Sequence, residues 1–280
     1  MAARAAGLIR LGHPFPSLLD GVVVAGIALI AAGDLGLAAR LGGSMTALQA
    51  SIGALNDLRD APADAGRKPG KPIPAGLVAV PVARAVVVTA AAAGVALAAP
   101  SGPGLVALAL LVLAIGYAYD LAAKGTPWSW VPFALGIPIL PLYGWLGASD
   151  AVPGWLVALV PIAAIAGGAI AIANARADLE RDETVGQASV ATSLGLEDSW
   201  RVSVVLVVGA MAAAAAWLAT TGDSPPPILA VIGLLAGLLV TAAGLVVGRR
   251  AAPARRERAW QLVAVGIAVF GIGWVAAAAS

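Results

Sequence analysis

The chain has no cysteine and one histidine, His13, among its 280 residues. Disulfides, thiolate metal sites and cysteine nucleophiles are excluded. One imidazole is too few for a histidine-rich metal site, and it leaves little material for a Ser-His-Asp triad. Charge is scarce as well. Only 11% of residues are Asp, Glu, Lys or Arg, against about 25% in an ordinary soluble domain. Hydrophobic residues make up 60%. This composition is that of an integral membrane protein, in which each remaining charge needs a reason. A formal net charge of +2 is too small to suggest a nucleic-acid partner. Arg4 and Arg10 precede the first apolar run, as in a signal peptide. We read that run instead as an uncleaved first transmembrane helix.

A spanning helix needs roughly 20 mostly apolar residues. Nine segments qualify, near 15–33, 37–58, 77–99, 104–121, 128–147, 153–177, 200–220, 226–248 and 259–279. Gly and Pro punctuate the gaps, as in Pro100-Ser101-Gly102-Pro103 and Pro225-Pro226-Pro227. The second segment carries Arg40, Ser44, Thr46, Gln49 and Ser51, so it should face the interior of a bundle. Basic residues fall in alternate loops. One side holds Arg4 and Arg10, then Arg59, Arg67, Lys68 and Lys71 with Arg84 one or two turns beyond, then Lys124, then Arg176, Arg181 and Arg201, then the arginines from 249 to 258. The other side keeps only Arg40, with Asp34, Asp150 and Asp223. The positive-inside rule then puts the N-terminus in the cytoplasm and, after nine spans, the C-terminus outside. The expected fold is all-α, a polytopic membrane protein with one bundle in one domain over 1–280. A weak duplication of 15–121 and 128–248, plus a final helix, is compatible with the placement of the polar clusters.

Those clusters carry the chemistry. Asn56, Asp60 and Asp64 are spaced four and four apart, and so are Asn174, Asp178 and Asp182. In an α-helix each triplet falls on one face. Each lies where an apolar run meets a polar stretch on the cytoplasmic side. Together with Asp57 they offer the hard oxygen ligands that suit Mg²⁺. The loop that follows the first triplet supplies Arg67, Lys68 and Lys71, cations fit to neutralise a diphosphate. Pro62 disfavours helix at Ala61, so Asp64 is the less secure member of its triplet. No proline interrupts the second triplet, which should be the straighter of the two.

The chain resembles the UbiA superfamily of intramembrane prenyltransferases. Asn56, Asp57, Asp60 and Asp64 match an NDxxDxxxD motif. Lys68-Pro69-Gly70-Lys71-Pro72-Ile73-Pro74-Ala75-Gly76 is similar to the family's following stretch, with Lys71 where arginine is usual. Asp178 and Asp182 match a second DxxxD motif, followed by Gly186 and by Thr192-Ser193-Leu194-Gly195; Gln187 stands where a lysine is frequent. The resemblance covers nearly the whole chain. It implies nine transmembrane helices, Mg²⁺ dependence and an isoprenyl diphosphate substrate, with Asn56, Asp57, Asp60, Asp64, Asp178 and Asp182 as metal ligands; the four-residue spacing adds Asn174. It also draws in Tyr117, Tyr119 and Lys124, which fit the family's tyrosine-then-lysine stretch. A lysine there can meet phosphate, and a tyrosine face can sit beside a carbocation. Asp60, Asp178, Lys124, Tyr117 and Tyr119 form the catalytic set on this reading. Arg67, Lys68, Lys71 and Arg176 contact substrate.

Asp20, inside the first helix, is expected in a cavity, touching an acceptor or paired with Arg10 or His13. His13 fits the interface and the site equally. The arginines from 249 to 258 read as orientation and anionic-lipid contacts, and Trp128 and Trp130 as an interfacial belt. The expected activity is prenyl transfer in the cell membrane, from the diphosphate to an aromatic or quinone-precursor acceptor, with release of pyrophosphate on the cytoplasmic side. A cyclase using the same ionisation, and a cation or solute transporter, are the alternatives. Acceptor, prenyl length and oligomeric state are not encoded in any motif.

Overall fold

The computed structural model describes residues 2–66, 68, 70–221, 224–249 and 252–280. Helices run through nearly all of them, and no strand occurs among the described residues. In chain order they are α1 (Ala2–Leu11), α2 (Pro14–Ala32), α3 (Leu35–Asp64), α4 (Val80–Ala98), α5 (Pro103–Ala118), α6 (Val131–Gly136), α7 (Ile139–Leu146), α8 (Gly154–Ala177), α9 (Leu179–Thr184), α10 (Val190–Thr221), α11 (Ile228–Gly248) and α12 (Pro253–Ala278). A π-helical turn, Tyr119–Ala123, prolongs α5. Gly195 leaves helical geometry (φ 77°, ψ 173°) and divides α10 in two.

Every apolar segment expected to span is helical. Among the described residues, seven helices are long and apolar enough to cross a membrane: α2, α4, α5, α8, α10, α11 and α12. The chain is therefore a multi-pass membrane protein. The other two expected spans differ for physical reasons. Segment 128–147 is cut into α6 and α7, each too short to span alone. Helix α3 is long enough at 30 residues, but too polar.

Two compact units are present, 1–122 with 143–150, and 123–142 with 151–280. In the first, α3 packs against α2, α4 and α5, and its polar residues face those neighbours. The Ser44 hydroxyl donates to Gly94 O at 2.6 Å and pairs with the Tyr143 hydroxyl at 2.6 Å. The Ser51 hydroxyl donates to Val87 O at 2.7 Å. An internal partner for each polar group is what lets such a helix lie in an apolar bundle. Arg40 donates to Ser101 Oγ at 2.7 Å and to Leu97 O near the end of α4. A cation there compensates carbonyls left open at a helix C-terminus.

In the second unit α8 packs against α10, α6 and α12, and α11 packs closely on α12. That last contact relies on missing side chains. A Cβ at Gly266 would lie 2.2 Å from Thr241 Oγ1, and one at Gly237 would lie 2.4 Å from Phe270 N. Small residues allow backbones to approach where lipid supplies no hydrophobic drive. Gly266→Val should therefore lower stability by about 2 kcal/mol through overpacking. Thermal unfolding of the purified protein in detergent checks this; an unchanged transition would contradict the close packing.

Candidate functional site

The first motif occupies the last three turns of α3. Pro62 lies inside the helix, which continues to Asp64, so Asn56, Asp60 and Asp64 do share one helical face. The loop beyond folds back by consecutive turns: Lys71 N donates to Lys68 O, Gly76 N to Ile73 O, and Leu77 N to Pro72 O. Val78 then joins Leu11, Ala54 and Ala83 in a small core against which Leu58 and Ile73 pack. This apolar anchor fixes the loop, and the loop delivers its lysines to the motif. Lys68 Nζ lies 3.2 Å from Asp64 Oδ1. Lys71 pairs with Asp57.

Asp57 is 3% exposed. His13 Nε2 lies 2.8 Å from its Oδ1, so His13 sits against the first motif. His13 holds a left-handed backbone conformation (φ 47°), which disfavours side chains other than glycine. Gly53 makes room for it: a Cβ there would come within 3.0 Å of the His13 side chain.

Asn56 Nδ2 donates to Asp120 Oδ1 at 2.7 Å. Asp120 is 4% exposed and lies in the π-helical turn, a local form that recurs at functional sites. Motif matching passed over it. The signal available was an ionisable residue at the end of an apolar run. The Tyr117 hydroxyl pairs with Ser51 Oγ at 2.8 Å, which fixes the ring. Tyr119 opens the π turn, and Lys124 directly follows it, half-buried. Asp20 accepts from Gln49 Nε2 at 2.7 Å, a partner that the sequence did not single out. Arg67 lies outside the described residues.

The second motif departs from expectation. Helix α8 ends at Ala177, and Asp178 is non-helical (φ −99°, ψ 1°) before α9 begins. Asn174, Asp178 and Asp182 therefore do not lie on one unbroken helix. The proline-bearing motif is continuous and the proline-free motif is broken, the reverse of what the sequence suggests. The first break signal in this stretch lies beyond the triplet: Gly186 has φ 66°. Asp178 pairs with Arg181. Asp182 is buried, and Gln187 N donates to its backbone carbonyl at 2.8 Å. Ser189 and Thr192 start α10 with reciprocal contacts: Ser189 N donates to Thr192 Oγ1 at 2.8 Å and Thr192 N to Ser189 Oγ at 3.2 Å.

Arg176 was expected to contact substrate. It is 5% exposed, and its guanidinium is spent on backbone. Nε donates to Leu196 O at 2.9 Å, Nη1 to Gly248 O at 2.7 Å and Nη2 to Arg249 O at 2.7 Å. It closes the C-terminus of α11, where carbonyls lack helical partners. Arg249 in turn sits over the Trp200 ring at 5.0 Å. Arg256, read as a lipid contact, is 3% exposed and bonds Glu180; Arg255 and Arg258 remain exposed. The Arg256 guanidinium holds the Glu180 carboxyl below the usual glutamate range.

The donor set suits a hard cation. Among the described residues no hydrogen-bond donor reaches the buried Asp57 Oδ2 or Asp64 Oδ2, and such oxygens favour a cation. No group of three or more His, Asp or Glu side chains gathers at metal-binding distance among the described residues. The ligands thus fit in chemistry, while the lysines hold part of the first motif.

The fold has known relatives. A UbiA homologue from Archaeoglobus fulgidus, solved with GPP and Mg²⁺, aligns with a TM-score of 0.73 at 19% identity, over 95% of this chain and 99% of its own. An apo UbiA homologue from Aeropyrum pernix K1 gives 0.71 at 21% identity, over 94% and 97%. A digeranylgeranylglyceryl phosphate synthase gives 0.70 at 14% identity, over 98% of each chain. No curated protein sequence matches. The profile of one family, UbiA prenyltransferases, matches residues 21–265. With that match spanning both aspartate motifs and all but the ends of the chain, the protein belongs to the UbiA prenyltransferase family.

Proposed function

We propose that the chain transfers a prenyl group from an isoprenyl diphosphate to an acceptor within the membrane, releasing pyrophosphate on the cytoplasmic side. The observation that carries this reading is the meeting of Asp57 and Asp64 with Lys71 and Lys68. Two carboxylates, each with a buried oxygen that no donor reaches among the described residues, stand beside two ammonium groups and can serve cation and polyanion together. Asn56, Asp57, Asp60 and Asp64, with Asn174, Asp178 and Asp182, would hold Mg²⁺. When bound, that ion supplies Lewis-acid stabilisation of the leaving diphosphate. The solved Archaeoglobus homologue, whose bound species are GPP and Mg²⁺, supports the same assignment.

In the proposed reaction, Lys68 and Lys71 offset phosphate charge, joined by Lys124 and Arg67. The allylic C–O bond breaks, and its electron pair leaves with pyrophosphate. Tyr117, its hydroxyl held by Ser51, and Tyr119 present aromatic faces to the allylic cation. The apolar bundle excludes water that would quench it. An acceptor nucleophile attacks the cation, and the proton it sheds leaves with the released pyrophosphate. Asp20 and Gln49 are proposed to meet the acceptor from α2 and α3. Nine spans with a cytoplasmic N-terminus remain the proposed topology, with α3 and the α6–α7 pair as the two additional crossings. Reporter fusions at each loop check it.

Purified protein in detergent, given a prenyl diphosphate, an aromatic acceptor and Mg²⁺, should release pyrophosphate and form a prenylated product. EDTA should stop both. A cyclic hydrocarbon formed without acceptor would identify a cyclase instead. No pyrophosphate under any pairing of diphosphate and acceptor would overturn the reading.

A further inference from the structure

We propose that Arg256 is a positioning residue for the second aspartate motif, acting through Glu180. This rests on the proposed role of Asp178 and Asp182 toward a metal–diphosphate. Helix α9 has six residues, too few to be stable alone, because helix nucleation is costly and short helices depend on tertiary contacts. It starts from a non-helical Asp178, so α8 does not dictate its direction. Its placement must come from what its side chains grip.

Glu180 lies between the two motif aspartates. Two residues along a helix turn about 200°, so Glu180 lies on the face opposite Asp182. A grip on Glu180 orients Asp182 without occupying it. The grip comes from the first turn of α12, where Arg256 bonds Glu180. An arginine there needs an explanation. A cation at a helix N-terminus opposes the helix dipole, and burying a guanidinium to 3% exposure is costly without an anion. Glu180, 49% exposed at its side chain, supplies that anion. Arg176 stands four residues before Glu180 and ties the end of α8 to Gly248 and Arg249. Two arginines thus fasten both sides of the break at Asp178 to the α11–α12 connection.

The test uses the purified full chain in detergent, as wild type, Arg256→Gln, Glu180→Gln, the double variant and Arg256→Lys. Hydrogen exchange at the amides of 179–184 is read without metal or substrate. Pyrophosphate release is read against Mg²⁺ concentration. Both single Gln variants should lose protection at 179–184, and the double should lose no more than either. The Mg²⁺ concentration for half-maximal rate should rise about tenfold, as for other groups that orient metal ligands, while saturating Mg²⁺ restores much of the rate. Arg256→Lys should recover part of both effects. Glu180→Gln deletes the charge but keeps an amide oxygen that can still accept from the buried Arg256 guanidinium, so it is the milder variant and keeps the test valid if Arg256→Gln misfolds. Unchanged protection and unchanged Mg²⁺ dependence in Glu180→Gln, or additive effects in the double variant, would overturn the proposal. If the wild type itself releases no pyrophosphate, the prenyl-transfer reading fails, while the exchange comparison still decides whether Arg256 anchors α9.

Discussion

Asp60→Ala and Asp178→Ala should each slow pyrophosphate release on the order of 10³-fold, as expected when a group that stabilises developing charge is lost. Both variants should stay folded in detergent. Asp178 has a half-exposed side chain paired only locally with Arg181, and a surface pair of that kind contributes little to stability. Asp60 is half-buried near the end of α3. Neither deletion opens a large cavity. The measurement is initial rate of pyrophosphate release at saturating Mg²⁺, paired with a thermal melt. Near-normal rates in both variants would remove the metal assignment. A collapse of the melt together with the rate would instead make the carboxylates structural. Asp60→Asn and Asp178→Asn sharpen the test, because they keep volume and one oxygen while deleting charge.

Arg176→Ala should act in the opposite manner, mainly on stability. Three backbone carbonyls would lose their donor, and buried unmet acceptors cost about 1–3 kcal/mol each before relaxation. With partial rescue by water, we expect a net loss of about 3 kcal/mol. For a chain of this size that corresponds to a melting temperature lower by about 10 °C. Arg176→Lys should be nearly as damaging, because one ammonium cannot reproduce a planar fork directed at Leu196, Gly248 and Arg249. A substrate contact would behave differently. Lysine would keep the charge, stability would hold, and only the diphosphate KM would move. That second pattern would return Arg176 to the substrate set.

Arg176 and Arg256 illustrate where reading the sequence failed. Both stand near motif residues or in a basic cluster, and composition classes them as substrate or lipid contacts. Their carbonyl and carboxylate partners lie 20 to 76 positions away in sequence. No local pattern encodes those pairings. Pro62 and Asp178 failed in another way. Local propensity favours a break at the first and none at the second, yet α3 keeps its helix and α8 does not. The polar segment 37–58 was read correctly as an interior helix, because each of its hydroxyls needed a partner unavailable in lipid.

The all-helical class, the apolar segments and the placement of both motifs at the ends of long helices followed from composition and period alone. These depend on nearest-neighbour chemistry and on the cost of exposing backbone to lipid, which every window of sequence carries. Which cation meets which carboxylate was decided only by tertiary structure. Asp57 with Lys71 and His13, Asn56 with Asp120, and Glu180 with Arg256 are meetings between separate elements. Their geometry depends on how helices and loops pack, as the core around Val78 holds the Lys71 loop to α3. Charge inventory names the candidates, and packing selects the pairs.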